Sequence, residues 1–191
     1  MRLKKANAVL GLLSVPAVLL HIGFTAYCYL TMSYLPQLKT LFSLPFMVLV
    51  CLHAVCGMAS VFLLGDGTRL GLYPKQNRGT VIQRLSAALI FPLLFLHLRT
   101  FDLLKSTSGA GQWFLFALLI LSEILFYGTV TAHTAVSFSK ALITLGWLSS
   151  REKQKTLSRL ACILGAVLFL AAAVMIIRGQ LVMFVPAGGI S

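Results

Sequence analysis

Apolar residues form five long runs along the chain, and short polar or basic segments separate these runs. Each run reaches the roughly 20 residues that a helix needs to cross the hydrocarbon core of a bilayer. The runs are continuous rather than alternating, which argues against a transmembrane β-barrel. The pattern predicts an all-α integral membrane protein, a five-transmembrane-helix bundle in which 1–191 form one membrane domain. The predicted helices cover about 6–32, 41–64, 81–104, 113–143 and 160–177.

The composition indicates the same class of protein. Hydrophobic residues make up 59% of the chain and charged residues 10%, whereas a soluble domain has about 25% charged residues. The net charge of +12 would suggest nucleic acid as a partner if the protein were soluble. Here the basic residues lie between the apolar runs, so membrane topology and contacts with membrane lipid explain them, and no nucleic acid is expected.

The distribution of lysine and arginine predicts the orientation. The first apolar run is too long for a signal peptide and lacks a clear cleavage site, so we expect it to be retained as the first helix. Of the 16 Lys and Arg residues, twelve fall at the N-terminus and in the second and fourth loops, and four fall on the other side. The positive-inside rule then predicts a multi-pass protein of the inner (cytoplasmic) cell membrane, with the N-terminus cytoplasmic and the C-terminus outside.

The four histidines of the chain, His21, His53, His97 and His133, each fall in a different apolar run. Ionisable groups inside a membrane are costly to bury and usually functional. Because a helix rises about 1.5 Å per residue, His21 and His97 are expected at similar depth in the outer half of the membrane. His53 and His133 are expected in the inner half, with a looser match in depth.

Two histidine pairs at two depths are the arrangement that two haems stacked across a membrane require, because haem iron takes axial imidazoles from facing helices. Two imidazoles leave no open position on the iron, which suits electron transfer. Pro16 precedes His21 by five residues and Pro92 precedes His97 by five, so we expect the two helices to bend alike. The chain has no Cys-x-x-Cys-His, so covalent c-type attachment is not supported.

Other roles for buried histidines remain open alternatives. A single histidine in a membrane helix also serves as a hydrogen-bond partner between helices. Four histidines in four consecutive helices, with none in a loop, favour haem ligation over that explanation. A proton relay and a metal-transport path are further alternatives, and both would favour additional buried carboxylates, for which Glu123 is the clear candidate.

From about Asn7 to Ile177, the chain resembles the single-subunit di-haem cytochrome b membrane anchor of succinate:quinone oxidoreductases and fumarate reductases. The resemblance rests on five helices with histidines in the first four, and on two short motifs. The stretch 83–86 (QRLS) is similar to the family's Gln-Arg-x-Thr-Gly ahead of its histidine. The stretch 141–147 (ALITLGW), after His133, is similar to the family's run ending in glycine, whereas Val136-Ser137 stands where the family often has Asn-Gly.

The resemblance implies a cofactor arrangement and partners. The family pairs its first histidine with its third and its second with its fourth, which assigns His21 and His97 to an outer haem b, and His53 and His133 to an inner haem b. It also implies a flavoprotein subunit and an iron–sulfur subunit on the cytoplasmic side, and a membrane quinone, expected to be menaquinone. Succinate or fumarate chemistry would take place on another chain, so this chain is expected to be the quinone-reactive subunit.

Three further polar residues are candidates for roles around the haems. Glu123, in the outer half of the fourth helix, either exchanges protons with a quinone or is a hydrogen-bonded structural group. Arg99 either neutralises a propionate of the outer haem or extends to the membrane surface. Arg84 either neutralises a propionate of the inner haem or contacts lipid headgroups. Two other functions stay open for the whole chain: a cytochrome b subunit of a hydrogenase or formate dehydrogenase type of complex, and a haem-free small membrane transporter.

Overall fold

The computed structural model describes residues 2–33, 35–64, 74–107 and 112–184, and the regular structure in these ranges is entirely helical. The helices in these ranges are α1 Arg2–Thr31, α2 Pro36–Leu64, α3 Pro74–Thr107, α4 Trp113–Leu145 and α5 Arg151–Phe184. All five are long and apolar enough to cross a membrane. The predicted all-α bundle of five membrane-spanning helices is confirmed at this level. Tyr34, the loop positions 65–73 and the tail 185–191 lie outside the described residues.

The third helix is longer than the hydrophobic pattern predicts. It begins at Pro74, whereas the apolar run begins at about Val81. Proline is favoured at the first position of a helix, where its missing N–H leaves no hydrogen bond unmade. The basic stretch after Pro74, predicted as loop, is therefore the first two turns of α3.

The fifth helix is also longer at both ends. It begins at Arg151 rather than at about Leu160, and Glu152 lies in its first turn, where a carboxylate interacts favourably with the helix dipole. It continues through the segment after Arg178, which the sequence left unplaced, as far as Phe184. Charged residues mark the membrane surface in a hydropathy pattern, but they do not end a helix.

The end of α4 has a well-defined cap. Gly146 adopts φ 81°, a left-handed conformation that favours glycine because other residues carry a Cβ. The N–H groups of Gly146 and Trp147 donate to the carbonyls of Ile143 and Leu142 at 3.0 and 2.9 Å. These bonds satisfy the last carbonyls of the helix and allow the chain to turn within a few residues into α5.

Helix α4 is the central element of the bundle. It packs against α3, α5 and α1, whereas α2 packs chiefly against α1. Nine residues of α4 are buried, more than in the other helices described. The buried apolar residues form two clusters, one of Leu104, Phe116, Leu119, Ile120 and Phe184 and one of Phe126, Tyr127, Ala172 and Ile176.

Candidate functional site

The first pair of predicted ligands meets between α1 and α3. The ring centroids of His21 and His97 are 6.4 Å apart, and the ring planes are inclined at 81°. Phe46 stacks on His21 with a centroid distance of 5.5 Å, and Phe126 stacks on His97 at 4.9 Å. One flat face of each imidazole is therefore covered by an apolar ring, which restricts its rotation.

The second pair of predicted ligands meets between α2 and α4. The ring centroids of His53 and His133 are 6.2 Å apart, with planes inclined at 70°. Gly11 of α1 lies against the first of these rings, and a Cβ at Gly11 would be 2.9 Å from His53 Cε1. A glycine at this position therefore leaves the space that the His53 imidazole occupies.

Both centroid distances fit two imidazoles on opposite sides of one metal ion. Nitrogen–metal bonds of about 2 Å, with about 1 Å from each nitrogen to its ring centre, place the two centroids about 6 Å apart. Edge-to-face contact between two rings covers the same range of distances. The hydrogen bonds of the second ring nitrogen show how each imidazole is oriented.

All four histidines engage a polar partner through Nδ1. The partners are Ser43 Oγ for His21 at 3.2 Å, Asn7 O for His53 at 3.1 Å, Glu123 Oε2 for His97 at 2.8 Å, and Gln83 O and Ser86 Oγ for His133 at 3.1 and 3.2 Å. A carbonyl or carboxylate oxygen accepts, so it favours the proton on Nδ1 and the lone pair on Nε2. Metal-binding histidines almost always donate their other N–H in this way.

The same partners place the two pairs in separate layers of the bundle. Asn7, in the layer of His53, precedes His21 by fourteen residues on α1, and Gln83, in the layer of His133, precedes His97 by fourteen on α3. This corresponds to about 21 Å of helix. On α2, Ser43 of the His21 layer precedes His53 by ten residues. On α4, Glu123 of the His97 layer precedes His133 by ten, which corresponds to about 15 Å of helix. The α3–α4 hairpin thus repeats the arrangement of α1–α2.

Glu123 makes the two layers chemically different. The side chain is buried, at 4% exposure. Its Oε2 accepts from His97 Nδ1, and its Oε1 accepts from Thr100 Oγ1 at 2.8 Å. The His53–His133 pair has backbone carbonyls and a serine in the corresponding places. The His21–His97 pair therefore carries the strongest acceptor, because hydrogen bonds to carboxylates are stronger than those to neutral oxygens.

A cleft lies between α1 and α5 near the end of the bundle that holds His21 and His97. Its volume is about 60 Å³, and it is lined by Tyr29, Leu30, Met32, Arg178, Gly179 and Val182. The helices approach closely here, since a Cβ at Gly179 would lie 2.5 Å from the Tyr29 ring. Gln180, adjacent in sequence, is 2% exposed, and its Oε1 has no partner among the described residues.

The two arginines singled out in the sequence differ in position. Arg99 is exposed on α3, so the structure does not bring it into the polar network of the histidine pairs. Arg84 is partly buried, close enough to Lys140 of α4 for their like charges to repel. In the sequence analysis Lys140 was counted only among the basic residues of the fourth loop.

Several residues that shape the site carry no sequence signal of their own. Asn7 and Gln83 act through backbone carbonyls, Ser43 has one polar contact across helices, and Gly11 acts by its lack of a side chain. Each depends on which helix lies opposite, which a single sequence does not report. A glycine in the middle of an apolar run was the one available hint.

Each histidine pair offers two ligands and no third. In the described ranges, no group of three or more His, Cys, Asp or Glu side chains converges on a metal position. Comparison of the chain with models of protein families, with curated proteins and with solved structures finds no match.

Proposed function

We propose that the chain is the membrane-anchor and electron-transfer subunit of a succinate dehydrogenase or fumarate reductase type of complex. In this proposal His21 and His97 hold an outer haem b, and His53 and His133 hold an inner haem b. The observation that carries it is the pair of cross-helix histidine contacts, each with both Nδ1 atoms hydrogen-bonded. The assignment to this class of complex comes from the resemblance in sequence.

The donor set of the four histidines fits haem. A porphyrin supplies four nitrogens around the iron, so the protein needs to add one imidazole on each face. Two buried polar atoms near the inner pair, Asn7 Oδ1 and Ser137 Oγ, have no hydrogen-bond partner within the described ranges. Such atoms are costly to leave unpaired in the apolar interior, unless a bound group satisfies them.

Haem iron supplies reversible one-electron chemistry, and the residues of this chain set the conditions for it. The Nδ1 acceptors hold each imidazole in one tautomer and orientation. Phe46 and Phe126 stack on the two rings of the outer pair and would restrict their movement. The two layers are about 15–21 Å apart along the helices. In the proposal, one haem would therefore lie nearer each membrane surface and pass electrons to the other.

The outer layer is the proposed side for exchange with a membrane quinone. Glu123 and Thr100 form a buried polar pair beside His97, and this carboxyl is the group we propose for proton exchange with the quinone. Tyr29 lines the cleft between α1 and α5, and the buried Gln180 follows the lining residue Gly179 in the sequence. The apolar lining residues of the cleft, such as Leu30 and Val182, would suit contact with a hydrophobic substrate such as menaquinone.

The inner layer is the proposed side for the partner subunits. By the count of lysine and arginine, the ends that carry Arg84, Lys140 and Arg151 would be cytoplasmic. An iron–sulfur subunit, with a flavoprotein subunit bound to it, would dock there and exchange electrons with the haem at His53 and His133. No dicarboxylate chemistry is assigned to this chain.

The proposal is tested with the full chain expressed in membranes and purified in detergent. A reduced-minus-oxidised absorption spectrum, with haem quantified per chain, should give about two b-type haems. His21→Ala and His53→Ala should each lose one haem. Leu20→Ala and Leu52→Ala, adjacent side chains that are 59% and 49% exposed, are matched controls and should retain both.

The outcomes separate the proposal from its rivals. A folded, monodisperse preparation with no haem would refute it, and a proton path through His97 and Glu123 would then become the leading hypothesis. Two haems with a partner complex on the outside would favour a hydrogenase or formate dehydrogenase type of cytochrome b. Two haems with cytoplasmic partners would support the succinate or fumarate assignment.

A further inference from the structure

A polar cluster lies at the end of the bundle where α3 begins and α4 ends. Lys140 of α4 donates hydrogen bonds to Thr80 Oγ1 and Gln83 Oε1 of α3, each at 3.1 Å. The backbone carbonyl of the same Gln83 accepts from His133 Nδ1 at 3.1 Å. One residue of α3 therefore connects Lys140 directly to the His53–His133 pair.

His133, Ser137 and Lys140 lie along one face of α4. Their spacing of four and seven residues is that of a single helical stripe. Along the helix axis Ser137 is about 6 Å from His133, and Lys140 is about 10 Å from it. A large ligand held by His133 and extending toward this end of the bundle would meet the serine hydroxyl and then the ammonium group.

Ser137 is poised to donate a hydrogen bond to such a ligand. Serines in the membrane helices commonly donate to the carbonyl four residues earlier, as Ser60 and Ser86 do here. The Ser137 Oγ is buried but has no partner among the described residues. A buried polar group without a partner is costly, and a ligand oxygen that accepts from Ser137 would remove that cost.

The charge of the cluster indicates what kind of ligand fits. Arg84 lies close enough to Lys140 for the two like charges to repel each other. Lys140 itself has two neutral oxygen partners, Thr80 Oγ1 and Gln83 Oε1, and the buried Glu123 is engaged by His97 in the other layer. Two neighbouring cations beside an unpaired hydroxyl favour a carboxylate, with which they form charge-assisted hydrogen bonds.

We propose that Lys140, Ser137 and Arg84 form a carboxylate-binding site for the acid groups of the cofactor held by His53 and His133. Thr80 and Gln83 orient the Lys140 ammonium toward it. The inference rests on the proposed function and deepens it, because haem b carries two carboxylates on one edge. The inference assigns roles to Lys140 and Ser137, which lie on the same helix as His133. Their contacts would fix the direction in which the carboxylate edge of the haem points.

The test compares ferric haem b with its dimethyl ester, in which both carboxylates are blocked. Each is titrated into the full chain prepared without haem in detergent, and binding is followed by the absorption spectrum. The variants are Lys140→Met, Ser137→Ala and Lys140→Arg, which keeps the charge. Lys155→Met, at an exposed lysine near the start of α5, is the matched control.

Lys140→Met should weaken binding of one of the two haems about 10-fold or more, the usual scale for a supporting contact of a metal site. The dimethyl ester should bind Lys140→Met and the original chain equally well. Ser137→Ala should act in the same direction with a smaller loss, Lys140→Arg should restore binding, and Lys155→Met should have no effect.

Three outcomes would overturn the inference. Unchanged haem binding in both Lys140→Met and Ser137→Ala would exclude the site. An equal loss for haem and for its ester would mean that Lys140 only joins α3 to α4. An effect that appears only with added phosphatidylglycerol would assign the cations to a lipid phosphate. Absence of haem from the original chain would instead refute the proposed function itself.

Discussion

A histidine buried in a membrane helix has two ring nitrogens, and each needs a partner in an environment without water. In this chain Nδ1 of every histidine has an oxygen partner from a neighbouring helix. The structure thus accounts for one nitrogen per ring, and the proposed haem irons account for the other. At this scale, the identity of the Nδ1 partner is the main chemical difference between the two layers.

Replacement of Glu123 should affect the outer haem alone. Glu123→Leu removes the acceptor of His97 Nδ1 and of Thr100, so the affinity for that haem should fall about 10–100-fold. Glu123→Gln keeps an oxygen acceptor and should retain the haem. The midpoint potential of the outer haem should rise in this variant. An imidazole that donates to an amide is a weaker iron ligand than one that donates to a carboxylate.

Haem content and a spectroelectrochemical titration check both statements. Glu152→Gln, at an exposed carboxylate in the first turn of α5, is the control and should change neither potential. Equal shifts in the midpoint potentials of both haems, or an unchanged potential of the outer haem in Glu123→Gln, would contradict the role assigned to the carboxyl group.

Gly11 should be essential for the inner haem. In Gly11→Ala the added Cβ would lie 2.9 Å from His53 Cε1, which forces the ring to move from its position opposite His133. We expect one haem per chain to be lost or weakened, and the outer haem to be retained. Gly23→Ala, on the same helix with nothing within 4 Å of the added atom, should keep both; equal haem loss in the two variants would contradict this prediction.

At the scale of the elements, α4 organises the bundle, because it contacts α3, α5 and α1. Without a hydrophobic driving force between helices in lipid, close contact depends on small residues and interhelical hydrogen bonds. The contact between α4 and α5, here called the α4–α5 seam, contains a small residue and an interhelical hydrogen bond. A Cβ at Gly165 would lie 3.0 Å from Thr131 Cγ2, and Ser139 and Ser158 share a hydrogen bond of 2.8 Å.

Gly165→Leu should separate α5 from α4 and destabilise the protein. Overpacking of a tight contact costs about 1–3 kcal/mol, which would lower the denaturant midpoint of the detergent-solubilised chain. Ala166→Leu adds the same kind of side chain at the next position, which is exposed, and should have little effect. Similar losses of stability in both variants would show that the seam is not specific.

A hydropathy pattern predicts the number of helices in this chain better than it predicts where each helix begins and ends. The five apolar runs correctly predicted five helices, but α3 and α5 extend well beyond them into charged sequence. Hydrophobicity reports the part of a helix that lipid covers, whereas backbone hydrogen bonding continues until a capping residue stops it. Pro74 at the start of α3 was a signal of the true boundary.

For the whole molecule, the excess of Lys and Arg at one end of the bundle predicts its orientation. A C-terminal alkaline phosphatase fusion should be active, and a C-terminal green fluorescent protein fusion should be dark, since the C-terminus is expected outside. Fusions after residue 147, at the opposite end, should give the reverse result. Reversed readouts at both positions would place the proposed partner subunits on the other side of the membrane.

The sequence by itself determined the class of protein, because continuous apolar runs admit only membrane helices, and it singled out the four histidines as candidate ligands. Their pairing by depth also followed from the sequence, since helix rise relates residue number to height. Which atoms support those histidines was decided only by the tertiary structure. Asn7, Ser43 and Gly11 matter because of what lies on the neighbouring helix, and the roles proposed for Ser137 and Lys140 depend on it as well. The rotation and contact of helices about one another depend on side-chain packing between segments distant in the chain, which no local pattern specifies.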